Sequence, residues 1–301
     1  MRIVVTGTRG QVVSALREVA SSGRHEIVSL GRPELDLAAP ITVLPALQRA
    51  KPDLVISAAA YTNVDEAEEQ PSLAWTINAL GAAAVAVAAK VVGVPIIHLS
   101  TDYVFDGQKA GPYLETDATT PVNLYGASKL LGERFVATAN EDHVILRTSW
   151  IYSPFGANFL KTMLRLSKAR DCVQVVDDQH GCPTSAFDLA TALLFIAQRL
   201  HDDRSFELRG IFHLPPAGRT TWADFAKAIF DRAAAKGWKA CRVTPIATAE
   251  YPTRAQRPAN SLLSGSKVKR VYGIELPAWR ESLPLCVDRL VAEDGIEAPG
   301  R

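Results

Sequence analysis

Residues 2 to 13 read Arg-Ile-Val-Val-Thr-Gly-Thr-Arg-Gly-Gln-Val-Val. A β-branched apolar run passes through a glycine turn centred on Gly7 into a segment whose apolar residues continue through Leu16, Val19 and Ala20. A buried strand feeding a glycine turn and a helix is the phosphate-binding opening of a dinucleotide fold, where backbone N–H groups and the helix N-terminus meet a pyrophosphate. The third glycine of the usual fingerprint is absent, because Val13 stands in its place. The glycines alone therefore also fit an ordinary turn, and the rest of the chain has to decide.

Further along, a second strand over Glu26 to Leu30 ends in Gly31-Arg32. An acidic residue there would suit a free ribose 2′-hydroxyl, whereas a guanidinium pairs with a 2′-phosphate, so Arg32 points to NADP. Asp36-Leu37 could flank the adenine, and Asp36 could equally cap the next helix. The strand Leu54 to Ser57 runs into Ala58-Ala59-Ala60-Tyr61-Thr62, small residues that let a flat ligand lie against the backbone. Trp75 to Val92 reads as one long alanine-rich helix buried between layers, with Asn78 anchoring the neighbouring strand. A fourth strand, Pro95 to Leu99, delivers Ser100-Thr101-Asp102 to the same crevice, and His98 within it reads as a satisfied core histidine. Asn123 is the expected N-cap of the next helix, which carries Tyr125 and Lys129. A fifth strand, His143 to Thr148, ends in Ser149-Trp150.

Strands and helices that alternate in this way predict an α/β fold with a doubly wound (Rossmann) parallel sheet and right-handed crossovers. Past Trp150 the regularity degrades. Helices are expected over 158–169, 187–200 and 221–236, and strands over 173–176, 211–214 and 242–245, with a frayed tail after Glu293. The expected division is a dinucleotide-binding domain over 1–150 and a smaller C-terminal α/β domain, mainly substrate-binding, over 151–301, with segments returning to the first domain.

Tyr125 and Lys129 lie four residues apart and so share one helical face. A positive charge that favours phenolate would bring a tyrosine, ordinarily titrating near about 10, toward the working range of a proton donor. An isolated pair of this spacing is most often a packing tyrosine beside a solvated lysine. Here it follows a dinucleotide-type opening and four strand–helix units, with Ser100-Thr101 upstream at a strand end, so the three side chains can converge in one crevice.

That hydroxyl, phenol and lysine set resembles the extended branch of the short-chain dehydrogenase/reductase family. The strings S-T-D-Y-V-F-D-G (100 to 107), R-T-S-W-x-Y (147 to 152), N-F-x-K-T-M-L (158 to 164), D-D-Q-x-G-x-P-T (177 to 184) and R-P-x-N-S (257 to 261) are similar to those of the dTDP-4-dehydrorhamnose reductase family. The resemblance implies reduction of the C4 ketone of dTDP-4-dehydro-L-rhamnose with NADPH, or NADH as the alternative. It implies that Tyr125 donates the proton, that Lys129 holds the nicotinamide ribose and depresses the tyrosine pKa, and that Thr101 bonds the substrate oxygen. Gly10, Gln11 and Val12 would contact pyrophosphate, Asp36 and Leu37 the adenine end, and Ala60, Tyr61 and Thr62 would line the cofactor trough. Thr101, Asp102 and Trp150 would lie beside the sugar, with Asn158 and Arg257 toward the diphosphate. Tyr61 stands where related chains often carry histidine. Some relatives bridge a dimer with magnesium through two glutamates; the matching positions look like Ala15 and Phe187, which cannot ligate it, so the expectation is no metal and a monomer or weak homodimer. Two alternatives stay open, a reductase of another nucleotide-linked 4-ketosugar and a non-catalytic NADP-binding regulatory subunit.

Composition agrees with an enzyme of small molecules. The 301 residues are 48% hydrophobic and 22% charged with a formal net charge of +1, which offers no basic field for nucleic acid. No charged leader precedes an apolar core at the N-terminus and no stretch is expected to reach membrane-spanning length, so a cytoplasmic protein without a membrane partner is expected. Cys172, Cys182, Cys241 and Cys286 show no metal-ligand spacing and read as reduced thiols.

Overall fold

The computed structural model describes residues 1–21 and 23–296. The opening stretch forms strand β1 (Arg2–Thr6) and helix α1 (Gln11–Ala20). There follow β2 (Glu26–Leu30), α2 (Val43–Ala50), β3 (Leu54–Ser57), α3 (Val64–Glu69), α4 (Pro71–Trp75), α5 (Ala82–Val92), β4 (Ile96–Thr101), α6 (Leu124–Ala139) and β5 (His143–Thr148). Residues of β3 and β4 are buried throughout, the pattern of strands covered on both faces.

The second half contributes β6 (Ile151–Tyr152), α7 (Phe159–Ala169), β7 (Cys172–Val176), β8 (His180–Gly181), β9 (Thr184–Ser185), α8 (Ala186–Asp202), β10 (Gly210–His213) and α9 (Trp222–Ala234). It does not stay apart from the first. Strand β10 pairs with β5, giving a six-stranded parallel sheet in the order β10-β5-β4-β3-β1-β2. Helix α8 packs against α1 on one face, while α2, α5 and α6 cover the other. Val13 is buried among Ile3, Val5 and Leu16, so a branched side chain occupies the helix–strand contact where the fingerprint has glycine. Outside the sheet, β7 pairs in parallel with Arg242–Ile246 and β6 with β9.

The long helix expected over 75–92 is present, starts earlier at Pro71 and changes its winding on the way. Between α4 and α5 the stretch Thr76–Gly81 is a π-helix, the form that inserts an extra residue per turn and recurs at functional sites. Gly81 meets Leu37 there so closely that a Cβ would stand 2.7 Å from the Leu37 Cβ. Contrary to expectation, the run Pro71–Val92 is long and apolar enough to cross a membrane by length and composition, with 22 residues and a mean hydropathy of 1.6. Half of its apolar window is buried, and it packs on α2 and α6 as a core helix does. The C-terminal helix runs over Trp279–Ile296, past the Glu293 expected to begin a frayed tail; residues 297–301 lie outside the described chain.

Candidate active site

The sheet order reverses between β1 and β3, and at such a switch point the loops leaving the strand ends diverge to open a crevice. Thr6 Oγ1, buried at the end of β1, accepts the backbone N–H groups of Ala58 and Ala59, each at 3.0 Å, and so binds the two sides of the crevice floor together. Gly7 turns the chain at φ +100°, where an L side chain is strained. Gly10 is the N-cap of α1 and provides no side-chain cap, leaving first-turn N–H groups open at the positive end of the helix dipole. A cradle of this kind fits a pyrophosphate. Gln11 is partly drawn away from it: its Oε1 accepts from Ser153 Oγ at 2.8 Å and from Asn158 Nδ2 at 2.9 Å.

Asn78 is buried within the π-helix. Its side chain reaches across to Tyr61, accepting from Tyr61 N at 2.8 Å and donating to Tyr61 O at 3.0 Å, and Nδ2 also donates to Ser128 Oγ at 3.0 Å. One buried amide thereby fixes the trough residues Ala60, Tyr61 and Thr62 relative to α6. Helix α6 itself is seated by glycine. A Cβ on Gly126 would fall 2.1 Å from the Tyr103 carbonyl oxygen, and one on Gly132 would fall 2.2 Å from that of Asn78. Asn123 caps the helix, its Oδ1 accepting from Gly126 N at 2.8 Å.

These contacts bring Tyr125, Thr101 and Asp102 together. Burial pushes the pKa of the half-buried Tyr125 phenol up to about 12, with the neighbouring Thr101 hydroxyl working against the rise and the Asp102 charge adding to it. Thr101 Oγ1 donates to Asp102 Oδ1 at 2.9 Å and accepts from Tyr103 N at 3.1 Å. Asp102 is buried, and loss of hydration raises its carboxyl to about 6.

Lys129 corrects one expectation. Its ammonium is not directed at the phenol but donates to Leu99 O at 2.6 Å, with His98 Nε2 at 3.4 Å. A buried ammonium takes the nearest acceptors, and these belong to β4. Burial lowers its pKa to about 8, against the raising influence of Glu133, and Lys129 does not depress the tyrosine, whose pKa rises instead. Glu133 is held in turn by Arg147, with Nε to Oε1 at 2.9 Å and Nη2 to Oε2 at 2.7 Å, and by Ser100 Oγ at 2.5 Å.

The remaining candidates divide. Arg32 is exposed just beyond β2, where an anion could reach it. Asp36 does not cap α2; its Oδ1 accepts from Ala38 N at 2.9 Å in a local turn, and Leu37 is buried against Gly81. Val12 is buried, so only its backbone can serve a ligand. Trp150 adopts φ +48°, a strained conformation for a bulky residue, and stacks on Trp222 with ring centroids 3.5 Å apart and planes at 8°. Asn158 is committed to structure: it caps α7 through Lys161 N at 3.1 Å, and its Nδ2 serves Gln11 and the carbonyl oxygens of Ser153 and Phe155. Arg257 pairs with Asp65 at 2.6 Å on the wall of a cavity of about 500 Å³ that also includes Phe159, Arg170, Trp222 and Tyr251. Ala15 and Phe187 are buried in the apolar core, and among the described residues no His, Cys, Asp and Glu side chains group to hold a metal ion. The four cysteines are free thiols.

Sequence reading missed the anchoring partners, namely Ser57 beneath His98, Ser128 beside Asn78, Asp65 opposite Arg257, and Glu133. A signal existed in Gly126 and Gly132. Each interior glycine costs a helix roughly 0.5–1 kcal/mol relative to alanine, and two in the 16-residue α6 mark places where another backbone must come close.

The switch-point crevice, the open N-terminus of α1 and the tyrosine–lysine helix at the ends of β4 and β5 define a Rossmann-type, nicotinamide-dependent oxidoreductase of the extended short-chain dehydrogenase/reductase class. Comparison with known proteins narrows this class: residues 1–292 match the RmlD substrate binding domain, and the chain belongs to that family. It is 50% identical over 293 residues to a dTDP-4-dehydrorhamnose reductase of Sinorhizobium fredii, covering 97% of this chain and 99% of the relative. Among solved structures, a dTDP-4-dehydrorhamnose reductase from Clostridium acetobutylicum superposes with a TM-score of 0.89 at 38% identity, covering 96% of this chain and 99% of the other. The Bacillus anthracis reductase, in complex with NADP, gives a TM-score of 0.89 at 36% identity over the same shares of the two chains.

Proposed function

We propose that this protein reduces the C4 ketone of dTDP-4-dehydro-L-rhamnose to dTDP-L-rhamnose with NADPH. What supports the reading is that α6 carries Tyr125 and Lys129 to the C-terminal end of β4, where Lys129 donates to Leu99 O beside Thr101, in a chain of the same family as named dTDP-4-dehydrorhamnose reductases. On this reading residues 1–150 hold mainly the cofactor and the later residues mainly the sugar nucleotide, with β10 and α8 returning to the first domain. The open α1 N-terminus, Gly7, Gly10 and the backbone of Gln11 and Val12 take the pyrophosphate, and Arg32 takes the 2′-phosphate. Arg257 and the cavity beside it take the nucleotide diphosphate, since a guanidinium fork suits phosphate oxygens.

When bound, NADPH supplies the hydride. The chain's own residues supply position and the proton. With its pKa near 12, Tyr125 keeps its phenolic proton at neutral pH and is charged with a donor hydrogen before the substrate arrives. As negative charge develops on the C4 oxygen, Tyr125 transfers that proton along a short hydrogen bond. Thr101 can bond the same oxygen only by turning its hydroxyl away from Asp102, and Asp102 therefore sets its resting orientation. Lys129, positive below about pH 8 and already bonded to Leu99 O, offers its remaining hydrogen to a ribose hydroxyl. Trp150 and Trp222 give the sugar an apolar wall.

The test is turnover with 4-keto-6-deoxy sugars on three carriers. Faster NADPH consumption with the dTDP sugar than with its UDP and GDP counterparts supports the reading. Preference for another carrier moves the assignment to a different nucleotide-linked ketosugar, and binding of NADPH with no hydride transfer to any of them refutes catalysis.

A further inference from the structure

His98 is the buried titratable side chain for which the mechanism above has no use. It lies on β4 directly opposite Ser57 of β3 in the parallel register, and both residues are almost completely inaccessible. Its two ring nitrogens are both engaged: Nδ1 lies 3.1 Å from Ser57 Oγ, and Nε2 lies 3.4 Å from the ammonium of Lys129. An ammonium has hydrogens and no lone pair, so Nε2 must present its lone pair to Lys129. Nδ1 then carries the ring hydrogen and donates it to Ser57. The tautomer is thus assigned by the two partners together.

We infer that His98 is a positioning residue for the reaction, holding the Lys129 ammonium between its Nε2 and the Leu99 carbonyl, with Ser57 locking the imidazole in the required tautomer. The chain Ser57–His98–Lys129 starts at the residue before the alanines of the cofactor trough and ends on the catalytic helix. It therefore couples the floor under the nicotinamide end to the lysine that serves it. Two of the three ammonium hydrogens are spoken for in this arrangement, which leaves one direction for a further acceptor. A core histidine in a merely packing role would not need its unprotonated nitrogen turned to the one buried ammonium of the site.

The charged and titratable groups around Lys129 come from three elements. Glu133 lies one turn further along α6 and is tied to Arg147 of β5, Tyr125 lies one turn earlier, and His98 faces it from β4. His143 of β5 acts on His98 from the other side, and burial together with Lys129 and His143 keeps the imidazole neutral, its pKa well below the ordinary value. A neutral acceptor favours the charged amine over the uncharged one, so its removal must lower the pH at which Lys129 loses its proton.

The inference rests on the reading of Lys129 as the residue that holds the cofactor ribose, and its test is chosen to fail separately from the substrate assignment. His98→Leu, His98→Gln and Ser57→Ala are prepared as full chains. The pH dependence of NADPH affinity is measured by nicotinamide fluorescence without substrate, and that of kcat and KM with the ketosugar. For His98→Leu the alkaline limb of NADPH binding and of kcat moves down by about one pH unit, the size expected for one hydrogen bond to a charged group. His98→Gln, whose amide oxygen can accept from the ammonium, recovers most of that shift. Ser57→Ala moves the limb in the same direction by less, because the imidazole loses its anchor and keeps its nitrogen. A wild-type alkaline limb in His98→Leu overturns the inference, as does His98→Gln behaving like His98→Leu. If His98→Leu does not fold, unchanged limbs in both His98→Gln and Ser57→Ala overturn it, and a downward shift in Ser57→Ala with a near-wild-type limb in His98→Gln supports it. Variants that shift NADPH binding as described, beside a wild type that turns over no ketosugar, sink the substrate assignment and leave the His98 role standing.

Discussion

Replacing Asp102 with asparagine removes a buried charge and keeps an oxygen for Thr101. Asp102 is 3% exposed, and its Oδ2 meets no hydrogen-bond partner among the described residues. Its pKa in the folded protein is raised from 3.8 to about 6, with burial as the first cause and hydrogen bonds offsetting part of it. The folded state therefore holds more protons than the unfolded chain between about pH 4 and pH 6, and stability falls as pH rises through that window. Roughly two pKa units at about 1.4 kcal/mol each put the cost of the ionised group above pH 6 at about 3 kcal/mol. The amide escapes that cost but places a polar NH₂ where Oδ2 has no partner, at about 1–3 kcal/mol, so a net gain of about 0–2 kcal/mol is expected at pH 7. For a chain of 301 residues this corresponds to a Tm higher by up to about 3 °C. Thermal melts of both proteins from pH 4 to pH 8 provide the assay. The gap should close toward pH 4, where folded Asp102 is protonated, while turnover of the variant falls because Thr101 loses its charged acceptor. A pH-independent gap, or a variant less stable at pH 7, would refute the reasoning.

Three further perturbations probe separate links of the account. Gly126→Ala puts a Cβ 2.1 Å from the Tyr103 carbonyl oxygen, so α6 must shift and turnover should drop by about 100-fold with the fold retained; kcat near wild type in a folded variant would show that the seat of α6 is not critical. Glu133→Gln leaves Arg147 buried with a neutral partner and should lower stability by about 3–5 kcal/mol in denaturant titration; a loss under 1 kcal/mol would mean that the pair contributes little. Arg32→Ala should weaken NADPH by about tenfold or more and NADH hardly at all, and equal losses for the two cofactors would remove Arg32 from the 2′-phosphate.

Much of the frame was readable because local chemistry and global position agree. The opening strand, Gly7 and the start of α1 carry their own signal, and β-branched runs such as Leu54–Ser57 are buried on both faces of the sheet, where periodicity leaves little choice. Tyr125 and Lys129 could be picked out because their spacing is that of a helix face. Where Lys129 points could not be read, since the direction of a long side chain depends on acceptors that distant residues supply, here Leu99 O and His98. The π-helical winding at Thr76–Gly81 was hidden for a similar reason: the alanine-rich sequence is a good α-helix, and the partners of Asn78 within that stretch, Tyr61 and Ser128, are distant in sequence. Asn158 shows how residue type alone underdetermines a role: it suits a phosphate chemically, but it spends its amide joining Gln11 to α7. Arg257 keeps its place beside the cavity, and its partner Asp65 of α3 is announced by nothing in its own neighbourhood.

The central claim is that Tyr125 delivers the proton that completes reduction of a dTDP-linked 4-ketosugar. Its most direct measurement is single-turnover loss of nicotinamide absorbance with NADPH and dTDP-4-dehydro-L-rhamnose, run side by side for the wild type and Tyr125→Phe. The account predicts stoichiometric oxidation of NADPH to the reduced sugar by the wild type. The phenylalanine variant should bind NADPH with near-wild-type affinity and react at least about 1,000-fold more slowly. Absence of turnover in the wild type, or a comparable rate in Tyr125→Phe, would contradict it.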